Sequence, residues 1–576
     1  MANGMGGLYV GASGLQSSQN ALNTTANNLS NLDTIGYVRQ QVLMTDKSYS
    51  NLRNTTQKVN MAQSGLGVDI GDVVHSRDIF LDKYYRTEAG RQAFYNTCAN
   101  TTDEIQTQLQ EMEGQAFQDV LGEFYVSFQE IAKDPSSAVN QNLLVQKASL
   151  FIERSQALYK SLSNYQVNMN RQIGDTVTQI NTIGKNIAGL NEEIQKIEAG
   201  GVETAMDLRD ARDQLLDQLS KLGNITYNES ADGVVKVKFE GVEFIDEMSV
   251  HTMQSEVDGL NGFIVPTWKE LSDPERGIRV EVFQFDTDIS TELNTDIGKL
   301  KALVMNRGTE ISDYLDVMGL SQEEYSNTTG MSAVQTIQAQ LDQMVHGVVT
   351  AVNQILSPMV SQEIMVGGLT QTVHVWDAIN GAVGKDKKGP GQELFSRNFD
   401  SRYREVIDDA GKTWYVYNEE DTGKNAYGEK IPVDTTTLYS INNITVNPIL
   451  IEDETKLPSL TANGDIDYNL GKQLGAVWDQ RIMKLTPGDE NLCAFSGYYE
   501  RMVLGLASNG TVFTSISNTL SSSVAGIENQ RQGVIGVSSD EELTNMIKYQ
   551  NAYNAASRYI NVVDAMIEHL VTQLGA

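Results

Sequence analysis

Both flanks of this 576-residue chain lack proline, and this constrains its fold more than any other feature. No proline precedes Pro135 and none follows Pro487. Because proline breaks the interior of a helix, both flanks are free to form long helices. The remaining prolines and every tryptophan fall between Pro266 and Pro487, among turn residues and aromatics typical of compact β structure. The sequence therefore predicts helical ends around a β-rich centre.

The N-terminal flank carries a heptad repeat, the pattern of a coiled coil. Its leucines are Leu8, Leu15, Leu22 and Leu29. Mostly small or polar residues stand three positions before each leucine: Met5, Ala12, Gln19 and Ala26. Small residues favour a close approach to a partner helix. Frequent Ser and Asn predict a helix that is marginal alone. The alternative is an ordinary core face of a helical bundle.

The C-terminal flank mirrors this pattern. Residues 538–542 predict a helix start, with a candidate cap followed by acids in the first turn. Apolar residues then recur mostly at threes and fours, and Gln550 and Ser557 fill two gaps. The stripe consists of Leu543, Met546, Tyr553, Ile560, Val563, Ile567, Leu570 and Leu574. A preceding helix is expected from about 497 to 532, with Gly533 and Gly536 separating the two.

Long helices are also predicted in the interior. Residues 85–132 and 136–199 show helical periodicity, with Pro135 at their junction. The length of the second run indicates a rod-like bundle or coiled coil. Further amphipathic helices are expected at 207–222, with nearby opposite charges, and at 331–356.

Strands are predicted from Ile225 onward. Residues 225–229 and 234–239 flank an Asp-Gly pair that favours a hairpin, and another strand is expected at 242–245. From about 366 to 460, short alternating segments separated by Gly and Asn predict one inserted β-rich domain, including a strand at 412–417.

Charge and hydropathy exclude several classes of partner. The chain has 75 acidic against 43 basic residues, a formal net charge of −32, which argues against binding nucleic acid or anionic membranes. No run reaches the length of about 18 apolar residues that a spanning helix needs. The N-terminal residues lack the basic and apolar regions of a signal peptide. The chain is therefore expected to stay in the cytoplasm or to leave by a route that does not read such a peptide.

The residue types that carry catalysis are scattered. Cys98 and Cys493 are expected to be small buried residues rather than a disulfide or a site. The histidines lie singly, without the spacing of zinc ligands, and His569 is expected at the edge of the C-terminal stripe. Neither a nucleophile elbow nor a phosphate loop occurs. We therefore predict no catalytic residue, metal ligand or cofactor, and the chain is not expected to be an enzyme.

Two acidic segments have alternative interpretations. Residues 465–471 begin like a calcium loop, but Leu470 and Ala476 stand where such a loop needs glycine and a bidentate glutamate. An Asx-rich turn is the favoured interpretation. The acids at 419–421 are expected to form a solvated loop rather than a general acid–base pair.

Two terminal motifs resemble one known family. Residues 26–40, Ala-Asn-Asn-Leu-Ser-Asn-Leu-Asp-Thr-Ile-Gly-Tyr-Val-Arg-Gln, resemble the signature of bacterial flagellar axial proteins, with Ser30 and Asp33 as soft departures. Residues 536–560 are similar to the closing helix of the same family, through their Asp-Glu-Glu, Tyr-Gln and Ala-Tyr motifs.

The interior narrows this resemblance. Rod proteins of the family are much shorter, and hook proteins have little helix after the signature. The long helical segments at 85–222 include Asp134-Pro135 and the run 208–216. They look like the helical domain of the family members that are found at the hook–filament junction. The resemblance implies a structural subunit that joins hook to filament. The alternatives are another axial protein, such as a hook protein with an unusual insert, or a peptidoglycan-cleaving flagellar enzyme, against which the missing catalytic residues count.

The resemblance also implies a multidomain α+β fold. Its N- and C-terminal helices would pair in a coiled-coil-like inner domain, beside a long-helix bundle domain and a β-rich outer insert. The corresponding ranges are 1–45 with 533–576 for the terminal domain around an inner tube, 46–225 with 298–357 and 471–532 for the helical rod-like domain, 226–297 for a small β-rich segment, and 358–470 for the outer insert.

Partners and location follow from the same resemblance. Copies of the chain would form a ring or short helical assembly, with hook protein below and the third hook-associated protein above. Each subunit would leave the cell through the flagellar type III export apparatus, without a cleaved signal peptide, and reach the extracellular flagellum. An export chaperone would bind its C-terminal region. No cofactor, nucleic acid or membrane is expected.

The candidate assembly interface combines the two stripes with the signature. The signature asparagines are expected to hydrogen-bond backbone at the end of the first helix, with surface turn residues as the alternative. Gly36 is expected to supply a positive φ where the chain leaves the helix. The full set is Leu8, Leu15, Leu22, Leu29, Asn27, Asn28, Asn31, Thr34, Gly36, Tyr37, Leu543, Met546, Tyr553, Ile560, Val563, Ile567 and Leu570.

Overall fold

The computed structural model describes most of the chain. The described residues are 2–34, 36–47, 50–51, 63–64, 67–110, 116–200, 204–259, 261–398, 401–418 and 439–574. Four predicted features lie outside them: Ile35 of the signature, the acids at 419–421, and the side chains of Met5 and Leu574.

Long helices dominate the described chain. The helices are α1 Ala2–Ser30, α2 Ile79–Gln110, α3 Phe117–Lys133, α4 Ala138–Glu198, α5 Met206–Leu222, α6 Lys299–Arg307, α7 Leu315–Met318, α8 Gln322–Asn327, α9 Ala333–Leu356, α10 Pro448–Glu452, α11 Tyr468–Asp479, α12 Phe495–Ile535 and α13 Ser539–Leu574. The longest, α4, has 61 residues and spans about 90 Å.

Most predicted helices are confirmed. The interior runs at 136–199, 207–222 and 331–356 correspond to α4, α5 and α9. The single run at 85–132 is wrong, because α2 ends at Gln110 and α3 begins at Phe117. The two helices pack on different partners, α2 along α12 and α3 on α4 and α11, so they need separate apolar faces. Gly533 lies inside α12, and only Gly536 ends it.

Short antiparallel strands fill the spaces between helices. They are β1 Gln40–Asp46, β2 Ser50–Asn51, β3 Gln63–Ser64, β4 Val68–His75, β5 Ile225–Glu229, β6 Val235–Phe239, β7 Val242–Asp246, β8 Ser249–Val250, β9 Met253–Val257, β10 Ile264–Trp268, β11 Met359–Val366, β12 Leu369–Trp376, β13 Phe395–Arg397, β14 Tyr403–Ile407, β15 Thr413–Tyr417 and β16 Ile444–Val446. The predicted hairpin is confirmed as β5 and β6, in which Ile225 lies opposite Phe239 and Gly233 has φ +79°.

Two of the sheets have four strands, and one of them includes the β5–β6 hairpin. Strands β5-β6-β7-β8 form a meander against α4, and strands β11-β12-β15-β14 form an outer sheet. The outer sheet has its own small core of Ile364, Val375 and Val416.

The main core lies along α4, in a unit that we call the body. Large side chains from α3, α4, α9, α11 and α12 meet there, among them Phe124, Phe151 and Trp478. The segment predicted as one β-rich insert divides in the structure. Strands β13 and β16 pair and bury Phe395 and Ile444 in the body, whereas β11, β12, β14 and β15 form the outer sheet. The domain boundaries stay a prediction.

Two sequence alternatives are resolved locally. Cys98 and Cys493 are both buried and not disulfide-bonded, as predicted, and burial raises the pKa of the Cys98 thiol to about 12. Asp467 accepts a hydrogen bond from the Asn469 amide at 2.9 Å and so caps α11, which confirms the Asx turn at 465–471.

Candidate functional site: the terminal helices and the signature turn

Helices α1 and α13 run antiparallel, and α1 contributes mostly small side chains to the contact between them. We call the α1 residues along this contact the seam: Gly7, Gly11, Gly14, Ser18, Ala21, Thr25 and Asn28, spaced alternately by four and three. A Cβ at Gly11 would lie 2.5 Å from Cγ1 of Ile560, and a Cβ at Gly14 would lie 3.4 Å from Cβ of Ala556. The absence of side chains therefore lets the two backbones approach closely.

Five residues of the predicted C-terminal stripe share the face of α13 that meets the seam. Helical periodicity places them in one row: Met546, Tyr553, Ile560, Val563 and Ile567. Val563, the most buried of them, is 8% exposed. Leu543 and Leu570 lie outside this row and are 45% and 51% exposed.

The heptad leucines of α1 flank the seam instead of filling it. Leu8, Leu15, Leu22 and Leu29 are half-buried, and Ala12, Gln19 and Ala26 are exposed. Neither set forms the contact row with α13, because the close approach of α13 leaves room only for small side chains. That the leucines contact neighbouring copies stays a prediction. By helical periodicity, the leucines lie on the side of α1 away from the β1–β4 hairpin. That hairpin packs on the other flank, where Ser13 Oγ accepts from the Val68 amide at 3.3 Å.

The outer faces of α13 carry large apolar side chains that the described chain leaves exposed. Ile547 is 60% exposed, Val562 53% and Met566 61%, in addition to Leu543 and Leu570. We call these five residues the outer face of α13. A helix with apolar residues on several faces is stable in water only when other elements cover them.

The signature turn is organised around Asn28, which is 1% exposed. Its Nδ2 donates to the Gln40 carbonyl at 2.9 Å and to Glu542 Oε2 at 3.1 Å. Its Oδ1 accepts from the Tyr37 hydroxyl at 2.8 Å and from the Gln40 amide at 3.0 Å. One side chain thus joins the end of α1, the start of β1 and the first turn of α13.

The other signature residues shape the exit from α1. Asn31 Nδ2 donates to the Asn27 carbonyl at 3.0 Å, and Thr34 Oγ1 donates to Asn31 Oδ1 at 3.1 Å. Gly36 has φ +82°, as predicted, and a Cβ there would collide with the side chain of Gln214. Asn28 and Asn31 therefore bind backbone as predicted, and Asn27 serves as an acceptor for Asn31.

Charged groups complete the turn. Arg39 donates from Nε to Glu542 Oε1 at 2.8 Å and from Nη2 to Glu541 Oε1 at 2.9 Å. Its amide donates to the Ile535 carbonyl at 2.9 Å, which fixes the end of α12. Burial raises the pKa of Tyr37 to about 12, with further contributions from Asp207, Asp210 and Glu542.

A buried ionic network ties the turn to the body. Its members are Arg77, Arg86 and Arg531 with Asp82, Asp213 and Asp217. Arg531 donates to Asp82 Oδ1 and to Asp217 Oδ2, each at 2.9 Å, and Arg86 Nε donates to the other oxygen of Asp217 at 2.6 Å. Helices α2, α5 and α12 are therefore cross-linked where the body ends. We call the region of residues 31–34, 36–39, 75–86, 210–217 and 528–542 the neck.

His75 and Asp210 form a second polar contact in the neck. Asp210 Oδ2 accepts from the Val38 amide at 3.0 Å, and its Oδ1 lies 3.5 Å from His75 Nε2. Burial lowers the pKa of His75 to about 4, together with nearby Arg77 and Arg209. Burial raises the pKa of Asp210 to about 7, against the opposing hydrogen bond from Val38. The pair holds the signature turn against α5.

The sequence did not predict the seam or the neck network. Small residues spaced by four and three were visible as a signal for the seam. For the network, Asp210, Asp213 and Asp217 share one face of α5, but their partners are not apparent from spacing.

The arrangement is suited to packing and positioning. Within the described ranges, no cluster of three or more His, Cys, Asp or Glu side chains is placed to bind a metal ion. Among the same residues, no helix is long and apolar enough to cross a membrane.

Family models match three parts of the chain. "Flagellar hook-associated protein FlgK helical domain" matches residues 102–362, which belong mainly to the body. "Flagella basal body rod protein" matches residues 8–37, which are α1 and the signature turn. "Flagellar basal body rod FlgEFG protein C-terminal" matches residues 531–574, the end of α12 and all of α13. The short matches therefore coincide with the paired terminal helices.

Full-length relatives agree with these matches. Flagellar hook-associated protein 1 of Bacillus subtilis is 25% identical, over 99% of this chain and 98% of that protein. The protein of the same name from Escherichia coli is 23% identical, over 97% of this chain and 98% of its own length. The solved structure of the flagellar hook junction protein FlgK from Burkholderia pseudomallei aligns with a TM-score of 0.53 and 10% identity, over 78% of this chain and 100% of that one, and shows a shared fold.

Proposed function

We propose that this chain, which belongs to the family of flagellar hook-associated protein 1, joins the hook to the filament of the bacterial flagellum. The chain is a flagellar hook-associated structural protein. Its position between hook and filament is our inference from the names of its relatives and from the shared fold. The alternative, a hook protein with an unusual insert, is not favoured, because the relatives that match the full chain are hook-associated proteins.

One observation carries the mechanism of assembly: the terminal helices expose apolar surface that the described chain does not cover. The half-buried heptad leucines of α1, which we call the leucine flank, and the outer face of α13 each need a further element to cover them. A second copy of this chain supplies it, since the same two surfaces are then available on every subunit. Contacts between unlike surfaces generate rings or helical assemblies.

The layout of the subunit follows from this mechanism. The paired α1 and α13 line an inner tube, the body lies outside that tube, and the outer sheet faces outward. We divide the residues predicted for the assembly interface between two kinds of contact. The leucine flank, Leu543 and Leu570 contact neighbouring copies, whereas the row from Met546 to Ile567 closes the seam within one subunit.

The remaining partners belong to the same proposal. Hook protein lies below the assembly and the third hook-associated protein above it. The subunit passes unfolded through the type III export channel. Its two cysteines are not disulfide-bonded, so no cross-link between them hinders this unfolding. An export chaperone covers the exposed apolar face of α13 before assembly.

The protein has no catalytic role in this account. The buried carboxyl groups with raised pKa already bind backbone amides. Asp210 accepts from Val38, and Asp342 accepts from Ile441 at 2.6 Å and Tyr314 at 3.0 Å, while burial raises the pKa of Asp342 to about 7. These groups are therefore used for positioning, and a peptidoglycan-cleaving activity has no support.

Deleting the gene tests the position of the subunit. Cells without it should build a finished hook, carry no filament and release filament protein into the medium. Electron microscopy of the cells and immunoblots of the medium measure both results. Loss of the hook itself, or a normal filament, would refute the junction role.

A charge on the outer face of α13 tests the assembly surface. Met566→Asp should leave the free chain folded and block its incorporation into flagella, because a carboxylate would be buried between copies. Val167→Asp is the matched control, since Val167 on α4 is 57% exposed against 61% for Met566. Equal incorporation of the two variants would contradict the proposal.

A further inference from the structure

A cleft of about 690 Å³ lies where the outer sheet leaves the body. Its walls are α11, the end of α9 with the following Pro358, and Asn380 with Ala382, which follow β12. Sites for small ligands enclose about 300–1,000 Å³, so this cleft is large enough to hold one. We call it the amide cleft.

The polar lining of the amide cleft consists of carboxamides and one carboxylate. Its members are Gln354, Asn380, Asn469, Gln473, Gln480 and Asp467. None of the described residues that line the cleft is basic. A carboxamide offers one acceptor oxygen and two donor hydrogens without carrying a charge. The lining therefore suits a ligand with many neutral groups that both donate and accept hydrogen bonds.

Helix α11 presents three of these carboxamides from a fixed backbone. Leu474 and Trp478 of α11 are buried in the main core and anchor the helix there. Within the described ranges, the side chains of Asn469, Gln473 and Gln480 make no hydrogen bond, so their donors and acceptors are available. Polar groups on an anchored helix bind a ligand at low entropic cost.

The other polar groups are already oriented by neighbours. Gln354 Oε1 accepts from Arg402 Nη2 at 3.4 Å, and Asn380 Nδ2 donates to Asp377 Oδ2 at 2.9 Å. Asp467 uses Oδ1 to cap α11, and its Oδ2 has no partner among the described residues. Each of the three side chains thus has a fixed position and at least one atom left for a ligand.

Apolar side chains line the rest of the amide cleft. Ile355, Pro358 and Val477 are all half-buried and lie among the carboxamides. They offer apolar surface to a ligand that has C–H groups on one side and hydrogen-bonding groups around its edge.

We propose that the amide cleft binds a neutral glycan. Each sugar hydroxyl both donates and accepts, as a carboxamide does, and the C–H face of a sugar ring matches the apolar wall. The carboxylate of Asp467 accepts from hydroxyls more strongly than a neutral group does. An acidic glycan is disfavoured, because the lining lacks a basic residue and the chain carries a net charge of −32.

The walls of the amide cleft favour a glycan over a peptide. An extended peptide commonly binds by adding a strand to the open edge of a sheet. The described residues of this lining belong to helices and turns, and none lies in a strand. The hydrogen-bonding groups are therefore side chains in a compact cluster, which matches the hydroxyls around a sugar ring.

The position of the amide cleft keeps it accessible from outside the cell. Pro358 precedes β11 and Asn380 follows β12, so the cleft lies at the base of that hairpin. This accessibility in the flagellum rests on the proposed function, in which the outer sheet faces outward. Binding by the free chain does not depend on it.

An array of immobilised oligosaccharides tests the class of ligand. It carries neutral hexose and N-acetylhexosamine chains beside sialylated and sulfated forms of the same chains. The purified full chain should bind neutral members, and more strongly than their acidic forms. Binding to no member, or stronger binding to the acidic forms, would overturn the proposal.

Substitutions test the site. Gln473→Leu should weaken binding of the best neutral oligosaccharide by about tenfold or more in calorimetry, because it removes a carboxamide at nearly constant volume. Ala476→Phe should weaken it similarly by filling the amide cleft from the α11 wall. Both residues are exposed, so the circular dichroism of the chain should not change. Gln371→Leu is the matched control and should bind normally, because Gln371 is an exposed carboxamide of β12 outside the cleft.

Unchanged affinity in either cleft variant, or an equal loss in Gln371→Leu, would overturn the assignment of the amide cleft. These measurements use the free chain, so their failure leaves the junction role intact. A normal filament in the deletion strain would instead overturn the proposed function and leave glycan binding in place.

Discussion

The body and the terminal pair are both built from long helices, but their contacts are opposite in kind. In the body, large side chains fill the contacts between helices. Phe124 is fully buried, and its ring centroid lies 4.6 Å from that of Phe128 and 5.4 Å from that of Phe151. In the terminal pair, the contact is made of Gly, Ser and Ala on α1, while Met566 of α13 is 61% exposed.

The two regions therefore differ in how much of their apolar surface is buried within one chain, and so in their stability. Burial of apolar surface is the main favourable term in folding, and the body completes it within one chain. The terminal pair buries little and leaves apolar surface exposed. We therefore expect local stability to differ within one molecule: the body should open only with global unfolding, and the terminal pair of the free chain should open at a much lower free-energy cost.

The largest expected effect is in the body. Phe124→Ala should lower the free energy of unfolding by about 3–5 kcal/mol, because it leaves a cavity among packed rings. Urea unfolding followed by tryptophan fluorescence measures the loss, and Trp478 contributes to this signal with a ring centroid 5.9 Å from that of Phe124. Val139→Ala, at a site 77% exposed, should change it by less than about 0.5 kcal/mol. A similar small loss for Phe124→Ala would contradict the assignment of the core.

A smaller effect is expected at the seam. Gly11→Leu should separate α1 from α13 at a cost of about 1–3 kcal/mol, because a side chain there meets Ile560. Limited proteolysis should then cut α13 faster, while the urea midpoint of the body stays unchanged. Gly505→Leu on α12 is the control, since a Cβ at Gly505 meets open space. Unchanged proteolysis of Gly11→Leu would show that the seam is not tightly packed.

The smallest effect concerns pH at the neck, where the two regions meet. The pKa of His75 is lowered from 6.5 to about 4, so between these pH values the unfolded chain binds the extra proton and stability rises with pH. The pKa of Asp210 is raised from 3.8 to about 7, so the folded chain binds the extra proton and stability falls as pH rises over that range. In the native protein the two effects offset each other.

Single substitutions should reveal each half of this balance. His75→Phe removes the rise in stability with pH. The change in the free energy of unfolding from pH 5 to pH 7 should therefore be about 1–2 kcal/mol more negative in this variant than in the native protein. Asp210→Asn should do the reverse between pH 4 and about 6.5. Urea unfolding at each pH measures both slopes. Identical pH dependence in the native protein and both variants would contradict the shifted pKa values.

The sequence predicted the features that repeat locally. Proline-free flanks and helical periodicity gave α4, α5, α9, α12 and α13, and the signature gave the turn at Gly36. The seam was missed because Gly, Ser and Ala contribute no hydrophobic periodicity, so the leucine row beside it dominated the pattern.

Contacts between distant segments were beyond prediction. Arg86 and Asp217 are 131 positions apart, and Asp82 and Arg531 are 449 apart, so spacing carries no information on either pair. The same applies to Ile444, which returns from the predicted insert to the body core. Tertiary packing decides such contacts, and local patterns do not record them.

Amide hydrogen exchange tests most directly whether the terminal pair depends on neighbours. Residues 2–30 and 539–574 of the free chain should exchange much faster than the centre of α4. In assembled flagella the same residues should exchange as slowly as α4. Terminal helices that are as protected as α4 in the free chain would contradict the account, because their stability would then come from one subunit alone.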